Sequence, residues 1–298
     1  MIQISDLIKR FDEKTVLNRL NCTIPEGCVY GLVGSNGSGK STLLRLISGI
    51  YRPESGTITI DGQPVFDNPA VKNRIVFVPD ELFFLPHANL RRMEKLYASV
   101  YERFSHERFE ALLKDFGLDP EANLNTFSKG MRRQAATILA LSCRADFILF
   151  DETFDGLDPV MRHLVKRLLM EEIADREVTV IMTSHNLREL EDMCDHIDLL
   201  HNGHIIFERD IDDMRLSVHK IQMAFREPPP KEAFDKIEYM HFEQRGSVIL
   251  MIVRGSEDEV MERMKAFDPT ILEMIPLTLE EVFIYEMEVA GYDLEKMQ

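Results

Sequence analysis

Residues 34–42 read Gly34-Ser35-Asn36-Gly37-Ser38-Gly39-Lys40-Ser41-Thr42, a complete G-x-x-x-x-G-K-[ST] pattern. Glycines at this spacing let successive backbone N–H groups curl around phosphate oxygens without Cβ clashes. In that geometry Lys40 reaches the β- and γ-phosphates as a point charge, and the Ser41 hydroxyl ligates Mg²⁺. From Thr42 onward (TLLRLISGI) the residues are apolar at helical spacing, so the loop opens a helix whose amino end favours an anion. The preceding run Cys28–Val33 is short and apolar, as the buried strand feeding such a loop must be. The pattern implies a nucleoside triphosphate with Mg²⁺ and leaves open what its hydrolysis drives.

Four further constellations bear on the same chemistry. Phe147-Ile148-Leu149-Phe150-Asp151-Glu152 is an apolar strand ending in two carboxylates. An acid there is costly to bury unless a cation waits for it. Beside a phosphate loop that cation is Mg²⁺, which makes Asp151 the metal-side acid. Glu152, pointing elsewhere, is placed to orient or deprotonate an attacking water. Phe127-Ser128-Lys129-Gly130-Met131 precedes a long apolar helix. Ser128 and Gly130 there can form a second anion site from free N–H groups, a hydroxyl and a helix end, although a serine at that position is more often a plain N-cap. Asp155-Gly156-Leu157-Asp158-Pro159 follows Glu152 closely. His185 ends the apolar run Ile181–Ser184, where an imidazole can contact a γ-phosphate.

These residues need a scaffold, and the chain alternates strand and helix patterns from residue 1 to about 210. The candidate strands are Ile2–Ile4, Val29–Val33, Thr57–Ile60, Ile75–Val78, Phe147–Phe150, Thr179–Thr183 and Ile197–His201. Such alternation implies an α/β sheet with phosphate chemistry at the carboxyl ends of its strands. Asp61-Gly62 and Asn202-Gly203 read as hairpin turns. The first twenty to thirty residues and 57–66 have meander character, implying an antiparallel β flank on a parallel core. Residues 81–145 are mostly helical by period, as a helical subdomain inserted between two halves of the sheet would be. Pro228-Pro229-Pro230 marks a break, since it can continue neither a helix nor a central strand. Two strand-like runs (237–244 and 248–253), a helix opened by Ser256-x-x-Glu259, a strand over Ile271–Ile275 and a last helix opened by Thr278-x-x-Glu281 follow it. The expected division is a domain at 1–215 and a small α/β accessory domain at 216–298.

The formal net charge of −16 argues against a nucleic-acid partner, which needs a basic face, and against adsorption to anionic lipid. No apolar run approaches the length of about 18 residues that a spanning helix needs, so no membrane insertion is expected. The first residues, MIQISDLIKRFDEK, carry early charges and no apolar core, unlike a signal peptide. Cys22, Cys28, Cys143 and Cys194 are scattered without a C-x-x-C, as buried thiols in a reducing cytoplasm are.

Taken together, these segments resemble the ATP-binding cassette (ABC) family over residues 1 to about 215. GSNGSGKST resembles its Walker A motif, FILFDE its Walker B with the catalytic Glu152, and SKGMRRQ its signature. GLDP is similar to the D-loop, and SHNLRELEDMCDHIDLLHNGHI to the switch-histidine region. Phe11, in KRFDEKTVL, matches the aromatic that stacks on adenine. The resemblance implies a P-loop NTPase core that binds ATP and Mg²⁺ and hydrolyses ATP. It implies two cassettes, identical or paralogous, closing head to tail. Each nucleotide would lie between residues 34–42 of one subunit and Ser128, Gly130 and Asp158 of the other. Closure would drive a separate integral-membrane permease, with the chain cytoplasmic and peripheral on the inner face of the membrane through that partner. The apolar segment Leu82–Leu90 is the expected docking surface.

Some positions depart from the family pattern. Asp80 stands where the family has Gln, and a carboxylate there can still approach Mg²⁺ or the water. Phe127, Lys129 and Met131 replace three signature residues. The SKGM string and the ending LTLEEVFI resemble single-cassette subunits of exporters for drugs, antimicrobial peptides or polysaccharides. A non-transport cassette associated with translation or repair is the alternative, and one cassette with an acidic balance weighs against it. A nucleotide kinase would leave the signature, GLDP and His185 unexplained.

Overall fold

Strand β1 (Ile2–Phe11) turns back at Asp12 into β2 (Lys14–Ile24), with Phe11 opposite Lys14. Non-glycine residues in the left-handed region, Asp6 (φ 47°) and Arg19 (φ 48°), lie in these strands, and the pairing slips between Ile4 and Arg10. Strand β3 (Val29–Val33) is buried throughout and runs into the phosphate loop and α1 (Lys40–Ile47). Next come β4 (Ser55–Ile60), β5 (Gln63–Pro64), the short α2 (Pro69–Lys72) and β6 (Ile75–Val78). The inserted helices are α3 (Leu90–Val100), α4 (His106–Phe116) and α5 (Lys129–Ser142). Asn89, Ser105 and Ser128 cap them, each side chain accepting a hydrogen bond from a backbone N–H of the first turn. Then follow β7 (Phe147–Asp151), α6 (Pro159–Arg176), β8 (Thr179–Ser184), α7 (Leu187–Glu191), β9 (His196–His201) and β10 (His204–Asp210).

This computed structural model describes residues 1–154, 156–191, 193–210, 218–278, 280–282 and 284–285. Asp155, and the expected domain boundary between 215 and 216, lie outside them. By contacts the chain divides into two units, Met1–Glu208 and Arg209–Gln298.

The first unit holds two sheets. One is antiparallel, in the order β2-β1-β4-β5, as the meander pattern implies. The other has the order β10-β9-β3-β8-β7-β6, with β9, β3, β8, β7 and β6 parallel. Its register sets Val33 opposite Ser184 and Asp151 opposite Thr183. The phosphate loop, the two carboxylates and His185 therefore leave the sheet at one edge, the carboxyl edge where α/β folds hold ligands. A core of Leu43, Leu44, Leu46 and Ile47 from α1, with Tyr30, Leu32 and Leu149, fixes α1 against the strands.

The inserted helices are tied to α6 by one carboxylate. Glu172 is 3% exposed and receives Arg176 Nε at 2.8 Å, Arg108 of α4 at 3.1 Å and Arg144, just past α5, at 3.5 Å.

The second unit comprises β11 (Val218–Ala224), β12 (Tyr239–Arg245), β13 (Val248–Arg254), α8 (Glu257–Lys265) and β14 (Ile271–Ile275). Its sheet is antiparallel, ordered β12-β13-β11-β14, over a core of Ile221, Met223, Phe234, Met251, Val260 and Met264. The triple proline joins β11 to the residues before β12, so it is a connection within this unit rather than a break between domains. Ser256 caps α8, and Thr278 and Glu281 exchange backbone-to-side-chain hydrogen bonds. All four cysteines are buried. Among the described residues no helix is long and apolar enough to cross a membrane.

Removing the carboxylate that three arginines share leaves them facing one another. Glu172→Ala is expected to lower unfolding free energy by about 3 kcal/mol. Urea titration should show this as a lower midpoint with an unchanged slope.

Candidate functional site

The phosphate loop is shaped by what surrounds it as much as by its glycines. A Cβ at Gly34 would stand 2.3 Å from the Leu200 carbonyl oxygen, and one at Gly39 would stand 2.8 Å from Leu17 Cδ2. Gly37 and Gly39 hold φ of 81° and 115°, which a side chain would strain. Ser38 Oγ is buried inside the loop, packed against Gly34, with no hydrogen-bond partner among the described atoms. Lys40, only 4% exposed, donates to the carbonyls of Gly34 (2.7 Å) and Ser35 (3.2 Å) and lies 3.6 Å from Glu152 Oε1. Burial pulls its ammonium below the usual lysine range, against the opposing pull of Glu152 and Asp151.

Asp151 is 1% exposed at the end of β7. Its Oδ1 accepts from the hydroxyls of Ser41 (3.0 Å) and Thr183 (2.8 Å), while Oδ2 is buried without a hydrogen bond. Burial raises its carboxyl above the ordinary range, and those two hydroxyls oppose the rise. A buried carboxylate with a spare oxygen beside a hydroxyl fits a hard divalent cation. Among the described residues no cluster of three His, Cys, Asp or Glu could hold a metal without further ligands.

Glu152 occupies left-handed backbone, φ 48°. Its N–H donates to the Thr183 carbonyl (3.2 Å) and hydroxyl (3.0 Å), and its carbonyl accepts from Arg133 Nη1. The carboxylate then spans Lys40 on one side and His185 Nδ1, at 3.3 Å, on the other. A cavity of about 480 Å³ opens over these groups, lined by Phe11, Asn36, Lys40, Ser41, Asp80 and Glu152. Phe11 is 40% exposed rather than a core aromatic, with Tyr51 edge-on at 5.4 Å.

The structure thus brings together Phe11, Lys40, Ser41, Asp151, Glu152 and His185. Asp80 borders the cavity, and its carboxylate meets Arg133 Nη2 at 2.7 Å. Ser128 is exposed and caps α5 through the Met131 N–H. Asp158 is likewise exposed and caps α6 through the Met161 N–H. Neither they nor Gly130 lines the cavity beside Lys40 in this chain. Sequence reasoning missed Thr183 and Arg133. The signal for Thr183 was its place at the end of a strand beside the one carrying Asp151. The signal for Arg133 was a charge on the first turns of a helix that then becomes wholly apolar.

The chain is similar to known proteins in sequence and fold. Residues 17–155 match the model of the family described as ABC transporter. The ABC transporter ATP-binding protein YtrB of Bacillus subtilis (strain 168) is 31% identical over 284 residues, 95% of this chain and 97% of that protein. The Nod factor export ATP-binding protein I of Rhizobium meliloti (strain 1021) is 30% identical, over 95% of this chain and 87% of its own. A solved ATP binding subunit of an ABC transporter superposes with a TM-score of 0.67 at 27% identity, covering 72% of this chain and 92% of that one. With a phosphate loop facing an acidic strand end and sequence shared over nearly the full length of such a relative, the chain belongs to the ABC transporter family, among its ATP-binding, ATP-hydrolysing subunits.

Proposed function

We propose that the chain powers export through a separate membrane permease by closing with a second cassette around two ATP molecules. The observation that carries this reading is the separation of its two anion-binding ends. Among the described residues, the cavity over the phosphate loop is lined by neither Ser128 nor Gly130, which supports a complete site that takes α5 of a second subunit. A relative over most of this length is named for Nod factor export, which supports transport over a translation or repair role.

In this scheme the adenine stacks on Phe11. The backbone N–H groups of residues 34–42 and Lys40 take the phosphates. Ser41 and Asp151 would hold Mg²⁺, which would neutralise charge on the phosphate oxygens. Glu152 accepts a proton from the attacking water, and His185 holds the Glu152 carboxylate in line. Ser128 and Gly130 of the second subunit close over the γ-phosphate, with Asp158 beside them at the interface. Closure is a two-state change biased by ATP and released by hydrolysis. Phe83, 81% exposed, and Leu85 in the segment after Asp80 give an apolar surface for a permease loop. The chain then lies on the cytoplasmic face of the membrane, held there by that partner.

Glu152→Gln is expected to lower turnover by roughly 10²- to 10⁴-fold while ATP still binds, and to accumulate a closed dimer on size exclusion. A monomer with the parent's turnover would sink the base assignment. The shared site is checked by mixing two inactive variants, Lys40→Ala and Ser128→Arg. Their mixed dimer regains one intact site, so ATPase activity should return on mixing. Continued inactivity would rule out a site built from two subunits.

A further inference from the structure

We propose that Arg133 is a positioning residue for the Glu152 carboxylate and that Asp80 holds Arg133 in place, so that the loop after β6 controls the geometry of the catalytic base. The inference rests on the reading of Glu152 as that base.

Arg133 heads the largest fully buried side chains of the molecule, 1% exposed on the first turns of α5. A guanidinium so enclosed must have its donors satisfied. One end of its planar fork, Nη1, donates to the carbonyl of Glu152, and Nη2 donates to Asp80 Oδ1 at 2.7 Å. A fork has fixed geometry, so moving one acceptor tilts the donors offered to the other.

What the fork holds is a strained residue. Glu152 has φ 48°, a conformation that costs a non-glycine residue of order 1–2 kcal/mol. Thr183 fixes its N–H and Arg133 fixes its carbonyl, so the two flanking peptides are pinned from opposite sides. The Glu152 side chain leaves the backbone between those pins. If the carbonyl loses its charged donor, the residue can relax toward ordinary φ and swing the carboxylate away from Lys40 and His185. A displacement of about 1 Å in a reacting group can lower a rate about a hundredfold.

Asp80 makes this arrangement reachable from outside. Its side chain is about half exposed, whereas Arg133 is enclosed. Asp80 borders the nucleotide cavity and also a second cavity of about 450 Å³ with Leu82, Phe127, Lys129 and Arg132. It therefore stands in the wall between the two, with one oxygen on the arginine that holds the base. This reverses the expectation drawn from sequence, in which Asp80 acts directly on Mg²⁺ or water.

The test is steady-state ATP hydrolysis by the purified full chain carrying Asp80→Ala, Asp80→Asn, Arg133→Lys, or Asp80→Ala with Arg133→Lys. Asp80→Ala should lower kcat about tenfold while KM for ATP stays within about twofold, because binding groups are untouched. Asp80→Asn, which still offers an acceptor, should recover most of that loss. Arg133→Lys keeps charge but loses the fork and should fall at least as far. The double variant should be no slower than the slower single one, since both act through one contact. Wild-type kcat in Asp80→Ala, or losses that multiply in the double variant, would overturn the proposal. So would a loss in Asp80→Ala that vanishes well below that variant's unfolding midpoint, which would mark the pair as structural only. Glu152→Gln assayed alongside separates the two ideas. Parent turnover in that variant defeats the base assignment itself. A dead Glu152→Gln beside unimpaired Asp80 and Arg133 variants defeats only the positioning role.

Discussion

A carboxylate buried at the end of an apolar strand is the constraint around which the first unit is arranged. Asp151 lies past Phe147–Phe150, which are all buried, and at 1% exposure it cannot rely on water. It is held instead by two hydroxyls, one from the start of α1 and one from the end of β8. Those elements must therefore end level with β7. The parallel register Asp151↔Thr183 and Val33↔Ser184 achieves this, and a one-residue slip of β8 would put Met182 or Ser184 opposite Asp151 in place of Thr183. The strand order, with β8 between β3 and β7, is what sets the phosphate loop and the acidic strand end across from each other.

Around that fixed charge the remaining polar groups form a connected chain. Lys40 faces Glu152, Glu152 faces His185, and the backbone of Glu152 faces Arg133, which faces Asp80. Each buried charge has a neighbour of opposite sign or a dipole directed at it, as low-dielectric surroundings require. The ionic cluster at Glu172 does the same work at the far end of the helices, joining α4 and α6 through one carboxylate. Helix α5, which Ser128 caps and which carries Arg133, thus has charged contacts at both ends, Arg133 with Asp80 and Arg144 with Glu172.

Much of this is legible in the sequence, for a physical reason. The strands β3, β6, β7, β8 and β9 belong to a sheet that buries them, so they read as short, mostly apolar runs. Gly34, Asp151 and His185 directly follow Val33, Phe150 and Ser184, Glu152 follows Asp151, and Lys40 and Ser41 stand at the far end of the loop that Gly34 opens. β2 is less visible, because register shifts in its pairing with β1 interrupt the period-two pattern that would reveal a half-buried strand. β11 has alternating burial and sits ahead of the triple proline, inside the expected domain at 216–298. The roles of Thr183 and Arg133 depend on pairings 32 and 19 positions away along the chain. Asp80 meets Arg133 across 53 positions. Separations of that kind leave no local pattern, and only the packing of α5 against the strand ends brings them together.

The left-handed backbone at Glu152 also bears on how such a protein can drift. Glycine adopts that conformation without strain, so a change from Glu to Gly at this position would relax the backbone while deleting the base. Folding selection alone therefore pulls the position toward the residue that ends catalysis, and only demand for turnover holds Glu there. A chain of this design can lose hydrolysis in a single step and still keep its fold, its nucleotide loop and its partner surfaces. Duplicated copies freed from that demand would be expected to become binding-only subunits before they lose structure.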